Sequence, residues 1–338
     1  MARAFTPVKI VSALVGLLVA AGIVLYLVPS NDYLLLPDPA HPVAPLVHVQ
    51  GGHDPRPPGA VYFVDVFERR ASMFEKLFPS IHKGATLVPA RLILPPGVSD
   101  QASHLADLRE MTISQRVAAA VALRQLGYHV VARPSGVVVA ALDSGSHAIG
   151  KLQPSDVIVS VDGVSTPTIA RLRTELAKLK PGDPVTLAVR RGDKRLTVRV
   201  RTTADAVEAR RAIVGFAPEQ AAEITLPIKV QIDAGNVGGP SAGLAFALEV
   251  MEELGRNVDR GYKVAATGQL NLDGTVSPIG GVRQKIFGVR AADVDVFLVP
   301  AAGDNAAVAR RYAAGVKVIA VKTFPQALRA LATLPRKR

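Results

Sequence analysis

Hydrophobic and polar positions follow three regimes along this chain. The first is a continuous apolar run, residues 10–28, interrupted only by Ser12. At 1.5 Å per residue it extends over roughly 28 Å, close to the hydrocarbon thickness of a bilayer. Arg3 and Lys9 precede it and Pro29-Ser30-Asn31-Asp32 follow. The basic flank keeps the short tail, residues 1–9, in the cytoplasm and sends the bulk of the chain outside. A cleaved signal peptide competes with this reading. The run is longer than a usual signal core, however, and Val28-Pro29-Ser30 is a poor small-x-small cleavage site. The expectation is a single-pass anchor in the cell membrane with extracytoplasmic domains.

The second regime, residues 29–126, is mixed. Residues 29–59 are rich in Pro, Gly and His and read as a juxtamembrane linker with room for one strand. Val61-Tyr62-Phe63-Val64-Asp65-Val66-Phe67 has the aromatic and β-branched content of a strand. An amphipathic segment follows at residues 71–77. Residues 101–126 form a long helical pattern in which Val117, Ala118, Val121, Ala122 and Leu126 share one face, and Gly127 stands at the C′ position. No chemistry is legible in 29–126.

The third regime alternates with period two. Residues 128–132, 136–142 and 157–161 are short β runs, the last closed by Asp162-Gly163. A helical stretch over 169–179 leads to the turn Pro181-Gly182-Asp183, and residues 185–190 pair with 195–200 across Gly192-Asp193. This block resembles a PDZ domain of the bacterial protease type. Gly136-Val137-Val138-Val139, residues 144–152, Asp156 through Gly163 and the hairpin after Pro181-Gly182 carry the likeness. Ser146 and Ser155 depart from the proline and glycine common there, and Gly127-Tyr128-His129-Val130 is a loose match to the carboxylate-binding loop. The resemblance implies uptake of an extended peptide on a sheet edge. Inside the block, Gly145 to Lys151 imitates a phosphate loop. Leu152 follows where a Ser or Thr hydroxyl would hold Mg²⁺, so the pattern does not read as nucleotide binding.

Composition narrows the classes. The chain has 338 residues, 49% hydrophobic and 20% charged, with net charge +12. The basic excess is scattered arginine without a nucleic-acid signature, so no nucleic-acid partner is expected. With no cysteine, thiolate catalysis and disulfides are excluded, and no cofactor or metal is called for.

The candidate chemistry lies in Gly235-Asn236-Val237-Gly238-Gly239-Pro240-Ser241-Ala242-Gly243, between an apolar strand expected at residues 224–232 and a helix from Leu244. Ser241 sits at a helix start, where orphan N–H groups suit either a nucleophile or an N-cap. Gly239 to Gly243 fits G-x-S-x-G, but that hydrolase order needs a later histidine. All seven histidines, at 41, 48, 53, 82, 104, 129 and 147, precede Ser241. Lysine is the remaining candidate base, provided that burial lowers its pKa. Lys285 has the most telling context, behind Pro278-Ile279-Gly280-Gly281-Val282-Arg283-Gln284, and is expected to open a helix over 285–291. There it faces the positive end of the helix dipole.

Residues 223–334 resemble the proteolytic domain of the Lon proteases, the serine–lysine peptidase family. Gly239-Pro240-Ser241-Ala242-Gly243, Thr267-Gly268-Gln269-Leu270 and Pro278 through Lys285 carry the likeness, in order, with a serine-to-lysine separation of 285 − 241 = 44. The resemblance implies Ser241 as nucleophile, Lys285 as general base and Thr267 as the hydroxyl that helps orient the lysine, with Gly239 and Pro240 as further supporting positions. Gly238 stands where ATP-dependent members have an acidic residue, and Gln269 replaces a common glutamate. The whole arrangement resembles membrane-anchored Lon-like proteases without an ATPase module. It implies an ATP-independent serine endopeptidase acting on unfolded or exposed protein segments, in a homo-oligomeric ring. An inactive membrane-tethered PDZ scaffold and a proteolytic subunit for a separate ATPase remain the alternatives. The expected fold is α+β and multidomain: a transmembrane helix (10–28), a juxtamembrane region (29–126), a PDZ domain (127–204) and a Lon-type proteolytic domain (205–338).

Overall fold

The computed structural model describes residues 7–53, 58–94 and 98–337. Most of the expected tail at 1–9 therefore lies outside the described residues. Helix Pro7–Leu27 carries no acidic residue in its first turn and no basic residue in its last. Its window Ile10–Leu27 has mean hydropathy 2.6 and is not buried at all. It is long and apolar enough to cross a membrane, a character that a signal sequence shares.

A five-stranded sheet organises the half of the chain that carries Ser241 and Lys285. Its order is His41–Pro42, Ala60–Phe63, Lys263–Ala266, Val296–Pro300 and Lys317–Val321. The first pair is antiparallel and the others are parallel. Alternate side chains serve opposite faces, as the pleat requires. Val264, Ala266, Val296 and Leu298 join one core with helices Asp100–Gln125, Gly243–Glu253 and Phe324–Ala332. Ala265, Phe297 and Val299 join the other with helix Val282–Ala291. Both faces are covered, which explains the near-continuous apolar strands. Every residue of Gly243–Glu253 is buried.

Residues 29–126 are woven into this half. Pro29–Pro37 is a nine-residue strand flanked by Val66–Ser72 and Thr86–Pro89. Val47–Val49 pairs with Val230–Ile232. The linker expected at 29–59 thus contains three strands rather than one: Pro29–Pro37 and His41–Pro42 pair with later parts of the same region, and Val47–Val49 finds its partner in Val230–Ile232. The strand expected over Val61–Phe67 is divided between Ala60–Phe63 and Val66–Ser72, which belong to different sheets. Asp65 sits at the crossover.

The other unit is an antiparallel sheet in the order Lys194–Arg201, Pro184–Arg191, Val157–Val161, Val131–Leu142 and Phe216–Thr225, with Val164–Ser165 paired to Val157–Val161. Val137, Val139, Ile158, Leu187 and Leu172 fill its core. Thr168 caps helix Ile169–Leu176, which ends earlier than the 169–179 pattern suggested. Two expectations change here. The runs at 128–132 and 136–142 merge into one strand, Val131–Leu142, whose register slips near Pro134. The strand expected at 224–232 is instead two, Phe216–Thr225 and Val230–Ile232, separated at Pro227, which has no N–H for a ladder.

Candidate active site

The serine turn is anchored from behind. Strand Val230–Ile232 delivers residues 233–239 against helix Asp100–Gln125. There the Gly239 N–H donates to the Asp107 carbonyl at 2.8 Å, and Ser114 Oγ donates to the Pro240 carbonyl at 3.0 Å. Pro240–Ala242 forms one 3₁₀ turn that runs straight into helix Gly243–Glu253. Proline suits this first position because a donor there would be orphaned anyway. The Ser241 N–H is an orphan donor of the same turn.

Strand Lys263–Ala266 ends beside Ser241. Gly268 N–H donates to the Ser241 carbonyl at 2.8 Å, and Thr267 Oγ1 donates to the same oxygen at 3.2 Å. Helix Val282–Ala291 begins three residues before Lys285, earlier than expected, with Gly281 in the left-handed region at φ 69. Gly288 lets this helix touch strand Pro29–Pro37 and the chain after it. A Cβ there would lie 1.8 Å from the Asp38 carbonyl oxygen, and its own carbonyl accepts from Ala40 N–H at 3.2 Å. One turn earlier, Gln284 Nε2 donates to Gly84 O and Thr86 Oγ1, which fixes the helix rotation.

The consequence is a buried amine. Lys285 is 3% exposed, and its Nζ lies 2.6 Å from Ser241 Oγ and 3.1 Å from Thr267 Oγ1. Burial pushes the Lys285 amine down from 10.5 to about 8, and the Asp65 carboxylate opposes that shift. Asp65 is itself raised, by burial first and then by Asp38. Its Oδ1 is buried and has no hydrogen-bond partner among the described residues. Ser241, Lys285, Thr267, Gly239 and Pro240 are therefore gathered at one place from three segments: the serine turn, the end of strand Lys263–Ala266 and helix Val282–Ala291. The cleft in front of Ser241 is walled by Asp65, Glu68, Asp107, Gly238 and Ile279.

Sequence reasoning missed Asp65, Asp107 and Ser114, all inside a region read as free of chemistry. Only Asp65 left a signal, as a lone carboxylate in an apolar run. Asp38, His41 and Asp65 each bring one atom within 4.8 Å of the others. Asp38 Oδ2 already engages His41 Nε2 at 3.0 Å, and no metal site is assigned to them.

Residues 194–333 match the Lon protease (S16) C-terminal proteolytic domain, and residues 124–202 match a PDZ domain. Lon protease 1 of Sorangium cellulosum is 36% identical over 110 residues, 30% of this chain and 13% of that protein. Lon protease 2 of Bacillus subtilis is 34% identical over 92 residues, 27% of this chain and 16% of that protein. The matched part thus spans only a small fraction of the curated relatives. Among solved structures, the PDZ domain of the SdrC-like protein from Listeria monocytogenes is 24% identical, covering 25% of this chain and 87% of its own, with a TM-score of 0.23. The chain thus joins a segment that matches a PDZ domain to one that matches the Lon protease C-terminal proteolytic domain.

Proposed function

We propose that the protein is a membrane-anchored serine endopeptidase working through Ser241 and Lys285, without nucleotide. The observation that carries the reading is the contact between a buried, pKa-depressed amine and a half-buried serine hydroxyl at 2.6 Å. An amine with a pKa near 8 is partly neutral at physiological pH and has a lone pair for the hydroxyl proton. Neutral Lys285 takes that proton as Ser241 Oγ attacks the scissile carbonyl. The Ser241 N–H supports the oxyanion. The lysinium then protonates the departing amine, and a water, deprotonated by the same amine, releases the acyl group.

Thr267 accepts from Lys285 and donates to the Ser241 carbonyl, so its hydroxyl is oriented to leave the amine's lone pair for Ser241. Helix Pro7–Leu27 is the anchor in this reading, and Arg3 and Lys9, ahead of its apolar run, favour an extracytoplasmic site. Substrates in this reading are unfolded segments, exposed tails or membrane-protein ectodomains. A peptidyl boronate tests the dyad. It should form a covalent adduct on Ser241 of the detergent-solubilised chain and none on Lys285→Ala. An adduct on another residue, or none on the parent, contradicts the assignment.

A further inference from the structure

The strand Phe216–Thr225 lies outside residues 124–202, the matched PDZ segment, yet it completes that domain's sheet. It pairs with Val131–Leu142 from Phe216↔Leu142 to Thr225↔Val131. Gln220 clamps it there, with Nε2 donating to Gly136 O at 3.0 Å and Pro167 O at 2.9 Å. On its other side no described strand pairs with it, so it is the sheet's edge. An edge strand presents a row of main-chain donors and acceptors ready to pair.

That edge opens into a cavity between the PDZ sheet and helix Asp100–Gln125. Of strand Val131–Leu142 only Val138 and Ala140 reach the cavity, alternate residues on one face. Of the edge strand, Pro218, Glu219, Gln220, Ala221 and Ala222 all reach it. Successive strand residues point to opposite faces, so five in a row can border one cavity only if it wraps around the strand's edge. Ile113, Val117, Leu270 and Leu272 form the opposite, apolar wall. At its far end the cavity meets Pro240 and Gln269, and both also border the Ser241 cleft.

We propose that this edge is the substrate's docking strand: an extended, unfolded polypeptide adds to Phe216–Thr225, places apolar side chains in the cavity and passes Pro240 and Gln269 to Ser241. The occupant follows from the continuity of the two clefts, and the inference rests on the serine–lysine reading above. Pairing of this kind draws affinity from main-chain hydrogen bonds and selectivity from the pockets that receive alternate side chains. The PDZ domain then acts as a brace that holds the docking strand in line with the serine turn, since Ser241 follows Thr225 by 241 − 225 = 16 positions.

The chain has no cysteine, so Ala222→Cys supplies a unique attachment point. In the full, detergent-solubilised chain carrying Ser241→Ala, a benzophenone at position 222 should crosslink reduced, carboxymethylated casein. The yield should exceed by about fivefold or more that of a benzophenone at Val207→Cys, which is 93% exposed and does not line the cavity. Independently, Ala222→Trp should raise KM for casein about tenfold, with the larger effect on KM than on kcat. Equal crosslinking at 222 and 207, or an unchanged KM in Ala222→Trp, overturns the proposal. Boronate capture by the parent reports on Ser241 and Lys285 alone. Failure of the dyad therefore appears as absent capture, and failure of the docking strand as normal capture with equal crosslinking.

Discussion

The Thr267 hydroxyl donates to the Ser241 carbonyl across 3.2 Å and accepts from the Lys285 amine at 3.1 Å. One side chain thereby ties the backbone of the proposed nucleophile to the proposed base. Thr267 is fully buried, so neither contact competes with water. Thr267→Val keeps the shape and deletes both bonds. It should lower kcat by up to about 100-fold through misplacement of the amine, while Thr267→Ser retains most activity. Steady-state rates on a fluorogenic peptide check both variants.

The pH profile follows from the buried amine. Only neutral Lys285 can act as base, so kcat/KM should rise through about pH 8 and level off above it. Asp65 raises the Lys285 pKa by its charge. Asp65→Asn should therefore move the rising limb to lower pH, read from the same rate measurements across pH.

Stability follows the same proton with a definite sign. The folded chain holds the Lys285 proton less firmly than the unfolded chain, whose lysine titrates near 10.5. Between about 8 and 10.5 the unfolded state binds more protons, so the penalty is full below that window and fades as pH rises through it. The parent should gain stability relative to Lys285→Met from about pH 7.5 to about pH 10, measured by denaturant unfolding of the two proteins.

Two backbone contacts hold the site together and can be tested apart from chemistry. Ser114→Ala leaves the Pro240 carbonyl without its buried donor and should cost about 1–3 kcal/mol. Gly288→Ala forces a methyl group to within 1.8 Å of the Asp38 carbonyl and should cost at least about 2 kcal/mol, because helix and strand must part. Thermal unfolding of each variant gives the ordering, with Gly288→Ala the less stable.

Local signals carried the legible part of this fold. The Pro184–Arg191 and Lys194–Arg201 hairpin and the Asp162-Gly163 turn are set by neighbours in sequence, and both appear where the pattern puts them. The serine and lysine motifs also advertise themselves, since Gly-Pro-Ser and Pro-Ile-Gly-Gly mark turns before buried helices. What the pattern concealed depends on distant partners. Val47–Val49 looks like linker until Val230–Ile232 pairs with it, and Ala60–Phe63 needs Lys263–Ala266 beside it. Asp65 gained meaning only when the crossover between two sheets brought it near Lys285. Pro134 and Pro227 had opposite effects: the first is absorbed at a register slip, and the second ends a strand.

Hydrolysis of casein by the detergent-solubilised full chain, without nucleotide, tests the central claim most directly. The account predicts cleavage by the parent and a loss of about 1,000-fold or more in both Ser241→Ala and Lys285→Ala. Cleavage by either variant at the parent's rate would contradict it.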